Sequence, residues 1–212
     1  MIKVIKLTYN NFAENTYICY DQTKDCIIID PGCFTTQEED HLAKVISENN
    51  LTPVKVLHTH SHLDHVFGTS FVLSKYNIEL YIHKEDRPTL DSFKLVADFY
   101  GIPLKTTPPK EFKYINVSEG VDFGDSHLDV RFVPGHAPGH IVFICNESKF
   151  VINGDCLFDG SIGRTDLPGG NHEILISSIK SELFSLDDDY LVYTGHGPET
   201  TIGKEKATNP FF

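Results

Sequence analysis

Six residues, His60-Ser61-His62-Leu63-Asp64-His65, limit what this chain can fold into. They follow the apolar run Val54-Lys55-Val56-Leu57 and the pair His58-Thr59. At the end of an extended strand, residues i and i+2 point to one side, so His60 and His62 can converge on a single ion. A helical pattern begins at Val66, and the turn into it redirects Asp64 and His65 to a second point. Allowing about 5% for each of the four positions, this pattern arises by chance in about one chain in a thousand of this length. The fold must hold a strand end open to ligands arriving from elsewhere.

Four residues cannot complete two metal sites, and three other strand ends offer the remainder. Gly135-His136 follows an apolar strand at 127–133, Gly154-Asp155 follows one at 150–153, and Gly195-His196 follows one at 190–194. Each candidate adjoins a glycine, which permits a sharp turn and a close approach. Imidazole and carboxylate ligands without thiolates suit zinc, iron or manganese. Such sites account for much of an unusual total, eleven histidines in a chain with one Met and no Trp.

Further strands are expected at 2–7, 16–20, 26–30, 54–59, 79–83 and 141–145, with helices at 37–49, 66–76, 84–100 and 172–184. Thr36 with Glu39 reads as the capping box of the first helix. Strands precede helices in each half, which indicates an α/β sandwich and not a repeated βαβ barrel. Thr106-Thr107-Pro108-Pro109-Lys110 is the clearest breaker, without a composition shift across it, so residues 1–212 are expected to form one domain. The net charge of -12 disfavours nucleic acid and anionic membranes as partners. No run approaches the ~20 apolar residues of a membrane span, and residues 1–6 show no signal-peptide pattern. A cytoplasmic protein is expected. The five cysteines are odd in number and form no C-x2-C pair, which disfavours a disulfide framework. Cys33 and Cys156, each near an acidic loop residue, are the candidates for a reactive thiol.

In order and spacing, His60-Ser61-His62-Leu63-Asp64-His65, Gly135-His136, Gly154-Asp155 and Gly195-His196 together resemble the metallo-β-lactamase superfamily across essentially the whole chain. The resemblance implies a four-layer αββα sandwich with the metals at one edge of the facing sheets. It further implies that His60, His62 and His136 hold one metal, that Asp64, His65 and His196 hold a second, and that Asp155 bridges them. Ile29-Asp30-Pro31-Gly32, Pro134-Gly135-His136-Ala137-Pro138-Gly139-His140, the stretch 160–170 and the closing segment 194–201 are similar to the short glyoxalase II-like group, the hydroxyacylglutathione hydrolases. Longer members carry a C-terminal helical region that supplies much of the glutathione pocket. Only residues 197–212 follow His196, so that region is expected to be missing.

The expected activity is thioester hydrolysis on a small S-acylglutathione such as S-lactoylglutathione. Two divalent ions, zinc foremost with iron or manganese as alternatives, would share a water and acidify it to hydroxide. Asp64 and Asp155 are the expected catalytic carboxylates. A thiolate leaves readily, so no strong general acid is required. Asp30 is a candidate acceptor for a ligand imidazole, and His140 is expected to support the site without binding metal. Arg164 is the candidate substrate contact, through its guanidinium fork, with Asp159 and Asp166 as competing partners. His58 has no assigned role; His41, His83, His127 and His172 are expected at the surface or at helix ends. One alternative reading is a mononuclear Fe(II) glutathione persulfide dioxygenase. Another is a lactonase-like or β-lactamase-like hydrolase of the same fold. The oligomeric state is not legible from the sequence.

Overall fold

The computed structural model describes residues 1–105 and 107–212. In chain order the elements are β1 (Lys3–Tyr9), β2 (Glu14–Tyr20), β3 (Asp25–Ile29), α1 (Thr36–Glu48), β4 (Thr52–Leu57), α2 (Leu63–Val66), α3 (Thr69–Tyr76), β5 (Glu79–Ile82), α4 (Arg87–Asp91), α5 (Phe93–Phe99) and β6 (Lys113–Tyr114). They continue with β7 (Val121–Phe123), β8 (Ser126–Phe132), β9 (Ile141–Cys145), β10 (Phe150–Gly154), β11 (Leu157–Phe158), β12 (Ser161–Ile162), α6 (His172–Ser178), β13 (Leu191–Thr194), β14 (Thr200–Thr201) and α7 (Ile202–Thr208). One six-stranded sheet has the order β1-β2-β3-β4-β5-β6 and the other β14-β13-β10-β9-β8-β7.

Side chains alternate across each strand and sort into three cores. Ile27 and Ile29 of β3 join Leu57, Leu128, Ile141, Phe143 and Ile152 between the sheets. Ile28 faces the other way and packs with Leu42 and Ile46 of α1, Val72 of α3, and Phe93 and Ala97 of α5. On the far side, Val142, Ile144 and Val151 meet Leu175 of α6 and Ile202 of α7. Helix, sheet, sheet and helix are thus stacked through three apolar interfaces, the expected four-layer αββα sandwich. Strands β3, β9 and β10 are covered on both faces and accordingly read as continuous apolar runs.

All nine expected strands form, with ends shifted by a residue or two. Helix α1 starts one residue early. Thr35 and Glu38, not Thr36 and Glu39, make the capping box, because the Glu38 carboxylate also accepts the backbone N–H groups of Asn10 and Phe34. The expected helix at 66–76 breaks into α2 and α3 at Gly68, whose N–H donates to the Pro31 carbonyl at 2.8 Å. The helix at 84–100 divides into a 3-10 turn, α4 and α5, and that at 172–184 continues from α6 as a π-helical turn, Ile179–Leu183. Of the breaker, Thr106 lies outside the described residues and 107–110 carry no helix or strand. Among the described residues, no helix is long and apolar enough to cross a membrane.

Candidate metal centre

Strand β4 ends at Leu57, in register with Ile29 of β3, and the chain crosses the sheet edge before entering α2 with His62 as its N-cap. His60 and His62 therefore precede the helix, while Asp64 and His65 ride its first turn. His136 follows β8, Asp155 follows β10 and His196 follows β13. The Gly195 N–H donates to the Gly154 carbonyl at 2.7 Å and the Asn15 N–H to the Gly195 carbonyl at 2.8 Å, which ties these strand ends to β2. The two turns require their glycines. Gly154 adopts a φ of 54°, and a Cβ on Gly195 would stand 2.0 Å from Oδ1 of Asp155.

The candidate ligand atoms converge as two groups. In the first, His136 Nε2 lies 2.9 Å from His62 Nδ1 and 3.2 Å from His60 Nε2. In the second, Asp64 Oδ2 lies 3.2 Å from His196 Nε2 and 3.7 Å from His65 Nε2. Asp155 stands between them. Its Oδ2 is 3.5 Å from His136 Nε2 and 3.4 Å from His196 Nε2, and its Oδ1 is 3.6 Å from His65 Nε2. All seven residues singled out in the sequence are brought together.

Hydrogen bonds behind these residues set which ring nitrogen faces inward. Asp30 accepts the Thr59 N–H at 2.7 Å, the Thr59 hydroxyl at 2.5 Å and the His65 Nδ1–H at 3.1 Å. Because the Thr59 hydroxyl donates to Asp30, its oxygen is free to accept from His60 Nδ1 at 3.1 Å. One carboxylate thereby orients an imidazole in each group. The Arg164 carbonyl accepts from His136 Nδ1 at 2.8 Å, and the Phe12 carbonyl accepts from His196 Nδ1 at 3.0 Å. With Nδ1 engaged in each case, Nε2 is the nitrogen turned to the centre.

That arrangement fits a cation. His60 Nε2 and His136 Nε2 aim lone pairs at each other across 3.2 Å, which is repulsive unless a positive charge lies between them. Donor separations near 3 Å are also close to the edge of a tetrahedron with metal–nitrogen bonds of about 2.0–2.1 Å. Among the buried polar atoms without a hydrogen-bond partner are His65 Nε2 and Asp155 Oδ1, both at this centre. Burial, reinforced by the neighbouring imidazoles, holds His60 well below the ordinary histidine range, and burial with His136 brings His62 down to about 3. These rings are neutral and ready to ligate. In the second group burial opposes charge, yet the carboxylates win. Asp64 and Asp155 hold His65 well above its ordinary value, and their hydrogen bonds raise His196 to about 10. Two protons sit where a divalent cation would be equally favoured.

The remaining expectations divide. Asp30 bonds the imidazole of His65, a candidate ligand. His140 is buried, stacked on His60 at 4.8 Å and edge-on to His136 at 5.9 Å, and its Nε2 accepts from the backbone N–H of Asp155. The Arg164 side chain forks onto Asp166 at 2.7 and 2.8 Å, while Asp159 pairs with Lys204. Arg164 still lines the cavity over the centre. Neither Cys33 nor Cys156 is a reactive thiol: both are buried, and burial pushes each pKa well above the ordinary thiol value. His58 is buried between Ser61 and Thr69, bonded to their hydroxyls. His41, His127 and His172 are exposed as expected. His83 caps a helical turn, yet it is buried against the Phe132 ring. Sequence reasoning passed over Asn15 and Tyr17, whose side chains both donate to the Thr194 carbonyl and so fix the turn that carries His196. Neither residue type carries a local signal for that task.

The family model of the metallo-beta-lactamase superfamily matches residues 10–196. The hydroxyacylglutathione hydrolase GloC of Haemophilus influenzae is 36% identical over 211 residues, covering 99% of this chain and 97% of that protein. Among solved structures, the B3 metallo-beta-lactamase BLEG-1 superposes with a TM-score of 0.88 at 32% identity, covering 100% of this chain and 99% of that one. The protein TTHA1623 in a di-iron-bound form also gives 0.88, at 34% identity, with 99% and 100% covered. Sandwich, strand-end ligand groups and these similarities agree, and the chain belongs to the metallo-beta-lactamase superfamily.

Proposed function

We propose that the protein is a metal-dependent thioester hydrolase of the glyoxalase II type, acting on S-acylglutathione substrates of the S-lactoylglutathione kind. The observation that carries this reading is Asp155, whose Oδ2 stands 3.5 Å from one ligand group and 3.4 Å from the other. A carboxylate shared in this way suits a pair of ions. His60, His62 and His136 would hold one, Asp64, His65 and His196 the other, and Asp155 both. When bound, two divalent cations lower the pKa of water towards neutrality and polarise a carbonyl oxygen. The similarity to GloC supports the thioester, and the di-iron form of TTHA1623 supports the count of two.

The chain's own residues supply the rest. A cavity of about 360 Å³ opens over the centre, with Phe12, Phe158 and Leu167 as apolar parts of its lining. Asp64, its carboxyl held below the ordinary range by His65 despite burial, stays ionised and would orient an attacking water by accepting a hydrogen bond from it. Arg164 borders the same cavity and can turn from Asp166 to a substrate carboxylate. No acid is needed at sulfur, because a thiolate with a pKa near 8.5 departs unaided.

The test loads metal-free protein with zinc, iron or manganese, counts ions per chain, and follows thiol release from S-lactoylglutathione. Two ions and rapid release are expected, with both lost in Asp155→Ala. A single iron with oxygen uptake on glutathione persulfide, or preferential opening of a homoserine lactone, would overturn the reading.

A further inference from the structure

Helix α5 is anchored by one face only. Phe93 and Ala97 are buried in the core, whereas Leu95, Phe99 and Tyr100 just beyond it are 72%, 83% and 49% exposed. Large apolar side chains left this open in a row mark a binding surface. They form one wall of a groove of about 680 Å³, with Pro138, Leu167 and Pro168 also lining it, and among the described residues no Asp, Glu, Lys or Arg does. The volume lies within the range of ligand pockets. The groove is continuous with the cavity over the metal centre: His62, Val96, Tyr100 and Leu167 line both.

A thioester lying over the centre sends one arm to each side of its carbonyl. Glutathione carries two carboxylates and an ammonium, and burying such charges without partners is costly. Among the residues lining the two cavities, Arg164 is the only one that is permanently cationic, and it borders the metal cavity but not the groove. The charged carrier therefore belongs on the Arg164 side and the uncharged arm in the groove. We infer that the groove walled by α5 is an acyl-chain site and that the preferred substrates are thioesters of apolar acyl groups several carbons long. This inference rests on the thioester reading above and narrows it.

The experiment compares S-acetyl-, S-butanoyl-, S-hexanoyl- and S-octanoylglutathione with S-lactoylglutathione on metal-loaded protein. The expected kcat/KM rises about fourfold per methylene, the equivalent of the ~0.8 kcal/mol for burying one, until the groove is full. In Leu95→Asp and Phe99→Asp, exposed positions where the fold tolerates a charge, the octanoyl-to-acetyl ratio is expected to fall at least tenfold. A second readout needs no turnover: by calorimetry on the metal-free protein, S-hexylglutathione should bind more than tenfold tighter than S-methylglutathione. Thioester hydrolysis with a flat or falling chain-length profile overturns the acyl site and leaves the thioester reading intact. Absence of hydrolysis of every thioester overturns both. Sedimentation showing a dimer that Phe99→Asp dissociates, together with a flat profile, would assign the groove to a second copy of this chain and refute the inference.

Discussion

Asp30 is the most informative residue to change, because it acts on both ligand groups without belonging to either. Asp30→Asn keeps the size and the backbone, since asparagine tolerates the φ of 50° found there. With the amide oxygen kept on the Thr59 N–H, the amide nitrogen faces two further donors, the Thr59 hydroxyl and His65 Nδ1–H. The hydroxyl can rotate and accept. His65 has no such escape and must either lose its partner or move its proton to Nε2, which removes the lone pair aimed at the centre. A lost hydrogen bond to a charged group is worth about 1.5–3 kcal/mol. At about 1.4 kcal/mol per tenfold, metal affinity should weaken by roughly 10- to 100-fold. His60 is held through the same Thr59 hydroxyl, so both ions should loosen and not the second alone. Competition against a chromophoric chelator at fixed pH, with bound ions counted, measures this, and a melting curve of the metal-free variant checks its fold. Wild-type affinity for both ions in a folded Asp30→Asn protein would refute the orienting role.

Three other outcomes are expected. With His65 well above its ordinary value and His196 at about 10, both are protonated at neutral pH in the metal-free protein, and a cation entering the Asp64 group must displace both protons. Affinity there should rise by up to about 100-fold per pH unit below pH 8, with about two protons released per ion at pH 7, whereas pH-independent binding would sink the argument. The sign for folding is opposite: a raised folded-state pKa makes the contribution of His196 to metal-free stability complete below about pH 6.5 and fading as pH approaches 10. Gly195→Ala puts a Cβ 2.0 Å from Asp155 Oδ1, so the shared carboxylate must swing away; elemental analysis should find both ions depleted, and a full complement would contradict the shared role of Asp155. Glu205 is buried and accepts from the Gly160 N–H, the Thr200 hydroxyl and the Asn209 amide. Glu205→Ala should cost about 3 kcal/mol, lowering Tm by roughly 6–12 °C while metal content stays near the wild-type value; an unchanged melting curve would show the pin is dispensable.

What was legible in the sequence follows from how far each signal reaches along the chain. The apolar run Ile27, Ile28 and Ile29 is local, so the strand was legible, and the strand's period then sends Ile27 and Ile29 to one core and Ile28 to the other. The candidate metal-ligand stretch at 60–65 is also local, one strand end and one helical turn, so its four residues stood out together. Signals that depend on distant partners did not survive. The capping box shifted by one residue because Glu38 is claimed by Asn10, far away in sequence. A continuous helix at 66–76 was disallowed by Pro31 and Cys33: a Cβ at Gly68 would meet the Cys33 sulfur at 2.2 Å. Helix α7 carries a weak apolar period and stands through Glu205, whose partners lie up to 45 residues away. The same division runs through the site. Ligand identity is a matter of residue type and spacing, but the choice of ring nitrogen depends on the Arg164 and Phe12 carbonyls and on Thr59 and Asp30, contributed by separate segments. Substrate preference depends further still on surfaces that only the folded chain brings together. Phe99 and Pro168 are 69 residues apart and line one groove, which is why the candidate ligand set stood out in the sequence and the groove did not.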